Sequence, residues 1–201
     1  MKYGIYRPSR RISIPLNETL RYAGMPDCQK EALIFIAEDV IRTCEEKMQP
    51  GLVYRICEIS SIESNRVILD NGTCLTGSLV AKYLVGCSQV CVLVGTVGLS
   101  VDRVISAYSY KSSVEGLLAD AAGSAAIEAV VDDFCDRISE KCRSKPRISP
   151  GYGDFPLTNQ SVIFSLLDAT KSIGTCLNDS LLISPSKSVT ALVGLFGEHH
   201  V

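Results

Sequence analysis

The ten residues from Arg147 to Pro156 place a cation, two aromatic rings and two glycines in one short segment. Pro150 fixes its own φ, whereas Gly151 and Gly153 permit backbone conformations and close approaches that a Cβ would block. These residue types could present a guanidinium, a ring and bare backbone to a small molecule. Without their context, an ordinary loop between two helices is the simpler interpretation.

The sequence contains few residues that could support hydrolase or metal chemistry. The only histidines are His199 and His200 at the C-terminus, which places an imidazole base poorly for a Ser-His-Asp or Cys-His site. The nine cysteines are scattered without a Cys-x-x-Cys pair, so they lack the ligand spacing of zinc and iron–sulfur sites. We expect no metal site and no catalytic residue, and we interpret the cysteines as small buried hydrophobes, including Cys87 and Cys91, which could share a site.

A second glycine pair, Gly95 and Gly98, stands between a predicted strand and a predicted helix capped by Ser100. Such a position suits an anion cradle at a helix N-terminus. The spacing matches neither Gly-x-Gly-x-x-Gly nor a Walker loop, so a tight turn is the favoured interpretation and a ligand cleft the second.

The longest predicted helix covers residues 113–141, with Val114 and Leu117 on its buried face. Its middle, residues 118–126, is so rich in small side chains that another backbone could approach closely. Asp120 shares a face with Leu117 and Ser124, and it is either a surface residue or a carboxylate aimed at a site. From the residues alone, we favour the surface.

The remaining periodicities predict one α+β domain over residues 1–201, with a twisted, mainly antiparallel sheet and flanking helices; residues 1–25 form an arm and a short helix. The apolar run 89–94 predicts a central strand covered on both faces. The stretches 52–62 and 66–69 are expected to form the two strands of an antiparallel hairpin, and two further strand pieces are expected around a kink at 184–188. Further helices are predicted at 27–47, at 76–84 capped by Thr76, at 159–169, and after an Asn17 cap, closed by Gly24 and Pro26.

Composition excludes several classes of partner. The net charge is −2 and the pI about 5.7, so the basic footprint of a nucleic-acid-binding protein is absent. No run approaches the roughly 20 apolar residues that span a bilayer, and the N-terminus lacks the plan of a signal peptide. We therefore expect a cytoplasmic protein that binds neither nucleic acid nor membrane.

Three stretches in order resemble the activation (reactivation) domain of cobalamin-dependent methionine synthase, particularly its stand-alone members. Residues 118–128 are similar to the family's central helix, residues 147–160 to its Arg-x-x-Pro-Gly-Tyr signature and the helix start beyond it, and residues 183–191 to its C-terminal Pro-x-x-Ser-Val segment. Residues 18–24 are similar to the start of the stand-alone members.

The resemblance implies binding of S-adenosylmethionine, so that one-electron reduction and methyl transfer convert cob(II)alamin to methylcobalamin. The cobalamin would be carried by a partner, a methionine synthase or related corrinoid protein, and an external donor would supply the electron. Because the sulfonium already activates the methyl group, positioning alone could suffice without a general base.

The resemblance also assigns roles to the loop. Arg147 would bind the methionyl carboxylate in two parallel hydrogen bonds, and Tyr152 would stand beside the ligand, where its ring could attract the sulfonium. Ser149 and Gly151 would offer backbone groups. The complete expected binding set is Arg147, Ser149, Pro150, Gly151, Tyr152 and Gly153, with Asp120, Ser124, Glu128 and Ser188 as possible lining residues.

This sequence departs from the family pattern at two places. A carboxylate expected one helical turn after Asp120 falls on Ser124, for which Asp120 or Glu128 could substitute. The aromatic cluster after Ser-Val is replaced by Leu192, Val193 and Gly194, so cobalamin contacts are not carried over there. The alternative function is a non-catalytic docking or chaperone module for another corrinoid protein. An unrelated small-molecule methyltransferase is less favoured, because no Rossmann-type glycine fingerprint is present.

Overall fold

The computed structural model describes residues 2–24 and 27–197, without the side chains of residues 2 and 27–32. The predicted helix stop at Pro26 and the two histidines lie outside this part of the chain. No helix within it is both long and apolar enough to cross a membrane.

An antiparallel sheet forms the centre of the fold. Its strands are β1 (Lys2–Tyr6), β2 (Gly51–Ile62), β3 (Arg66–Leu69), β4 (Cys74–Thr76), β5 (Gln89–Thr96) and β8 (Ser188–Leu195). The order is β4-β3-β2-β5-β8, and β1 pairs with the N-terminal half of β2, next to β3. A separate ribbon joins β6 (Cys176–Leu177) to β7 (Ile183–Ser184).

Helices cover both faces of this sheet. They are α1 (Leu16–Tyr22), α2 (Asp27–Lys47), α3 (Ser78–Leu84), α4 (Leu99–Lys111), α5 (Ser113–Ser139), α6 (Asn159–Leu167) and α7 (Ala169–Ile173). The first core lies between one face and α1, α2, α4 and α5, and the second between the other face and α3, α6 and α7. The predicted α+β class, with an antiparallel sheet and flanking helices, is confirmed.

Strand β5 shows why the apolar run 89–94 is continuous. Cys91 and Leu93 point into the first core, whereas Val90 and Val92 point into the second, as the two-residue period of a strand requires. The strand lies between β2 and β8. The predicted central strand, covered on both faces, is confirmed.

Three predicted helix starts are wrong. Thr76 ends β4, and α3 begins after Gly77; α4 begins after Gly98 and contains Ser100, and α1 begins after Pro15 and contains Asn17. A capping residue in the sequence does not fix a helix start where the preceding strand or turn extends past it.

The N-terminal turns of α5 are also less buried than their periodicity predicts. Val114 is 41% exposed and Leu117 is 46% exposed. The inward positions there are Gly116 and Leu118, because α4 and α5 approach closely: a Cβ built on Gly116 would lie 2.7 Å from the Ser109 Cα. A small residue at the contact therefore shifts the buried face.

Candidate functional site

The candidate site begins with an irregular strand, the edge segment (residues 143–149), which covers the outer edge of β8. The backbone groups of Ile148 and Leu192 exchange two hydrogen bonds of 3.0 and 2.8 Å, and the Lys145 N–H donates to the Gly194 carbonyl at 2.8 Å. Ile148 packs on the second core, and the neighbouring Arg147 side chain reaches α5 on the opposite side of the sheet. Strand geometry thus directs Arg147 to α5.

Arg147 binds two carboxylates of α5. Its guanidinium forms ion pairs with Glu128 and with Asp132, which stand one helical turn apart. Burial of Arg147 acts to lower the pKa of its guanidinium, but the hydrogen bonds to Asp132 and Glu128 outweigh it and raise that pKa. The side chain is 23% exposed, so a ligand could still reach this cation.

The loop after the edge segment, residues 149–156, closes on itself. The Gly151 N–H donates to the Phe155 carbonyl at 2.8 Å, and the Phe155 N–H donates to the Tyr152 carbonyl at 2.9 Å. Gly151 and Gly153 have φ angles of +99° and +52°, in the left-handed region that favours glycine. The Gly151 N–H is therefore committed within the loop, while Tyr152 is held outward with 67% of its surface exposed.

The N-terminus of α3 and the end of β4 anchor this loop and the helix start that follows it. The Asp154 carboxylate accepts hydrogen bonds from the backbone N–H groups of Ser78 (3.0 Å) and Leu79 (2.7 Å). The Ser78 side chain is the main cause that lowers the pKa of Asp154, and these backbone bonds lower it further. Asn159 is buried, and its side chain exchanges hydrogen bonds with both backbone groups of Thr76. Neither anchor was predicted, since both join residues more than 70 positions apart.

A cavity of about 770 Å³ lies between the edge segment and α5. Its lining includes four of the residues that the sequence singles out: Arg147, Ser149, Tyr152 and Glu128. Leu79, Cys135, Asp136, Ser139, Ser144, Lys145, Pro146 and Ile148 complete it. Pro150, Gly151 and Gly153 belong to the adjoining loop and are not part of the lining.

The other predicted residues lie apart from this cavity. Lys187 Nζ forms an ion pair with Asp120 at 2.8 Å and donates to the Ser124 hydroxyl at 3.0 Å. The Ser188 hydroxyl lies 2.8 Å from the Thr96 hydroxyl, at the far end of β8 from Gly194. Asp120 is exposed, as the residues alone indicated.

One row of polar side chains on α5 runs from the residues that contact Lys187 to those that contact Arg147. Asp120, Ser124, Glu128, Asp132 and Asp136 recur every four residues, which places each next to the following one along the helix surface. Lys187 binds the first pair of this row and Arg147 the second. Lys187 and Asp132 were not predicted from the sequence, although the four-residue spacing of the acidic residues was a usable signal for Asp132.

The small-residue part of α5 receives a side chain. The stem of Lys187 lies over Gly123, where an added Cβ would lie 2.9 Å from Lys187 Cγ. The sequence predicted close approach at residues 118–126 but not that a lysine makes it. Within the described residues, no group of three or more histidine, cysteine or acidic side chains could hold a metal ion.

Comparison with known proteins shows similarity at the level of structure. The chain superimposes on a crystal structure of the MetH reactivation domain bound to AdoHcy with a TM-score of 0.71 and 15% sequence identity, covering 100% of this chain and 80% of that one. No family model and no curated protein matches the sequence. The chain therefore has the fold of the MetH reactivation domain.

Proposed function

We propose that this protein binds S-adenosylmethionine in the Arg147 cavity and supports the reductive methylation of cob(II)alamin held by a methionine synthase or related corrinoid partner. The main support is the likeness of the whole chain to a reactivation domain that was crystallised with AdoHcy. S-adenosylmethionine supplies the methyl group, and an external donor supplies the one electron that the conversion to methylcobalamin requires.

The cavity suits a ligand with a carboxylate. Its volume, about 770 Å³, lies within the range of small-molecule sites, about 300–1,000 Å³. Arg147 offers a planar guanidinium, which binds carboxylates in two parallel hydrogen bonds. Tyr152 stands at the same cavity with its ring exposed, where it could pack on the ligand or attract a sulfonium.

The chain's own residues would act by positioning. Arg147 would orient the amino-acid end of the ligand, and the loop held by Asp154 and Asn159 would keep Tyr152 in place. A ligand carboxylate would compete with Glu128 and Asp132 for Arg147, because both already bind its guanidinium. We therefore expect the ligand to bind in competition with the internal ion pairs of Arg147.

Calorimetry with S-adenosylmethionine tests the proposal. Arg147→Ala should weaken binding by about 10- to 100-fold, since a charge-assisted hydrogen bond contributes about 1.5–3 kcal/mol. Arg143→Ala is the matched control, because Arg143 stacks on Phe196 at 4.6 Å and is not part of the cavity lining. Undetectable binding by the wild type, or equal binding by Arg147→Ala, would contradict the proposed site.

The reaction itself needs a second assay. The protein is mixed with a cob(II)alamin-loaded methionine synthase fragment that lacks a reactivation domain, a reductant and S-adenosylmethionine, and methylcobalamin is followed by its absorption spectrum. We expect formation that depends on both this protein and S-adenosylmethionine, and that is reduced by Arg147→Ala.

A non-catalytic docking module for a corrinoid protein is the second candidate. It is favoured because residues expected to bind the ligand already have internal partners. Arg147 binds two carboxylates of α5, and Ser124 accepts a hydrogen bond from Lys187. This candidate predicts capture of the corrinoid protein by immobilised wild type and by Arg147→Ala alike, without S-adenosylmethionine and without methylcobalamin formation.

A further inference from the structure

Arg55 extends from the middle of β2 toward α6 and α7. Its backbone pairs with Tyr3 of β1 on one side and with Val92 of β5 on the other, so its Cα is fixed within the sheet. Val53 and Cys57, two positions away in each direction, are buried in the second core. The two-residue period of a strand therefore places Arg55 on that face, opposite to the face where Arg147 meets α5.

The Arg55 guanidinium has no acceptor among the residues that the structure describes. Its Nε is buried without a hydrogen-bond partner, and no described carboxylate lies within ion-pair distance. The Tyr3 ring, with its centroid 5.4 Å from Arg55 Cζ, contributes a cation–π contact but no acceptor oxygen. A buried donor without a partner is costly, and an anion would relieve that cost.

An open cavity of about 700 Å³ lies beside Arg55 and is lined by further donors. Ser161 and Ser165 are one turn apart on the exposed surface of α6. Asn71 lies in the turn between β3 and β4, and its Oδ1 accepts the Thr73 N–H at 3.0 Å, which leaves the amide NH₂ as a donor. These groups come from three separate elements around one cavity.

The acidic residue in this lining already has a cation beside it. Asp168 forms an exposed ion pair with Lys171 at 3.1 Å, so part of its charge is offset by a group outside the cavity. Lys171 is not part of the lining. The polar groups that remain in the lining are the Arg55 cation, the Asn71 amide and three hydroxyls, those of Thr73, Ser161 and Ser165, a set that offers hydrogen-bond donors to an oxyanion.

We propose that this Arg55 cavity binds the phosphate group of a small molecule. Arginine matches phosphate oxygens in two parallel hydrogen bonds, and the serine hydroxyls and the Asn71 amide can reach the remaining oxygens from other directions. A carboxylate has two oxygens and would leave part of this donor set unused. The site does not depend on S-adenosylmethionine, since it lies on the other side of the sheet from Arg147.

The test uses the full chain and inorganic phosphate as the probe. The Arg55 Nε–H signal is assigned in ¹H–¹⁵N spectra by its loss in Arg55→Gln, and phosphate is then titrated against chloride at equal ionic strength. We expect a saturable shift of that signal with phosphate and none with chloride. Acetate, the carboxylate probe, should need a higher concentration for half-saturation.

Two variants make the outcome decisive. The double variant Ser161→Ala, Ser165→Ala changes only exposed positions and should weaken phosphate binding about 30-fold, since two neutral hydrogen bonds contribute about 1 kcal/mol each. Arg66→Gln is the control, because Arg66 already pairs with Glu63 at 2.8 Å, and it should bind phosphate as the wild type does. A shift no larger than with chloride, unchanged affinity in the serine variant, or equal affinity for acetate overturns the proposal.

Discussion

Gly77 and Asp154 are in direct contact: a Cβ built on Gly77 would lie 2.3 Å from the Asp154 carbonyl oxygen. Gly77 also has a φ of +125°, a conformation that L side chains rarely adopt. This contact brings the N-terminus of α3 against the loop that carries Tyr152, while the Asp154 carboxylate binds the N–H groups of Ser78 and Leu79. The loop is therefore fixed by backbone proximity as well as by hydrogen bonds.

Gly77→Ala should consequently lower the free energy of unfolding by more than about 2 kcal/mol, because strained φ and overpacking each cost about 1–3 kcal/mol. Urea denaturation measures the change. Gly24→Ala is the control: Gly24 also has positive φ, at +63°, but no atom of the described residues, its chain neighbours aside, lies within 4 Å of the added Cβ. Equal losses in the two variants would show that backbone conformation alone, and not contact with Asp154, sets the cost.

Sequence reasoning succeeded where the signal is local. The apolar run 89–94 and the 27–47 stripe determine their elements, because a single period decides which face is buried. It failed at Thr76 and Ser100, where a strand or turn extended past the capping residue. Helix starts depend on neighbouring elements that a local window does not contain.

In the candidate site, too, local sequence features point to individual residues but not to contacts between distant parts of the chain. The residue types of Arg147 and Tyr152 alone favoured an ordinary loop, and their binding roles came from the resemblance; the structure places both at one cavity. The partners of Arg147 and the position of Lys187 over α5 could not be predicted, since each contact joins distant parts of the chain. Which charges neutralise one another is decided by packing.

Asp132→Asn tests whether the internal ion pair competes with the ligand. If a ligand carboxylate displaces Asp132 from Arg147, removing this charge should strengthen S-adenosylmethionine binding by up to about fivefold, because partly exposed ion pairs contribute about 0.2–1 kcal/mol. Calorimetry on the variant and the wild type gives the ratio of their dissociation constants for S-adenosylmethionine.

Asp136→Asn is the matched control for that measurement. It removes the same charge from the same helix, one turn further along and at the cavity lining, but Asp136 forms no ion pair with Arg147. Loss of a carboxylate near a sulfonium should leave affinity unchanged or weaken it. Equal strengthening in both variants would mean that overall charge, and not release of Arg147, controls binding.

Tyr83 links the edge segment to β8 and makes stability depend on alkaline pH. Its hydroxyl donates to the Pro146 carbonyl at 2.8 Å and accepts the Gly194 N–H at 2.9 Å. Burial is the main cause that raises the pKa of Tyr83 from 10.0 to about 12. Because the folded pKa is above the unfolded one, this contribution to stability is complete below pH 10 and is lost as the pH rises to about 12.

Tyr83→Phe should therefore lower the free energy of unfolding by about 1–2 kcal/mol at pH 7, since the N–H of buried Gly194 and the exposed Pro146 carbonyl both lose their partner. It should also reduce the loss of stability between pH 10 and 12. Denaturation at several pH values measures both effects, and Tyr110→Phe, at a ring that is 96% exposed, is the control. A pH dependence identical to that of the wild type would contradict the role of Tyr83.

The side chain of Lys187 packs directly on Gly123 of α5. A Cβ at Gly123 would lie 2.9 Å from Lys187 Cγ and 3.1 Å from its Cε, so Gly123→Ala forces the lysine stem away from α5. The stem cannot move freely, because its Nζ is held by Asp120 and Ser124. Gly123→Ala should lower the free energy of unfolding by about 1–3 kcal/mol, despite the higher helix propensity of alanine.

A double-mutant cycle separates this contact from other effects of the methyl group. Lys187→Ala alone removes the stem and its ion pair, so Gly123→Ala in that background meets open space and should be neutral or stabilising, by up to about 1 kcal/mol. The coupling energy from urea denaturation should therefore be at least about 1 kcal/mol. If Gly123→Ala costs the same in both backgrounds, contact with Lys187 is not what requires glycine there, and packing within α5 must require it instead.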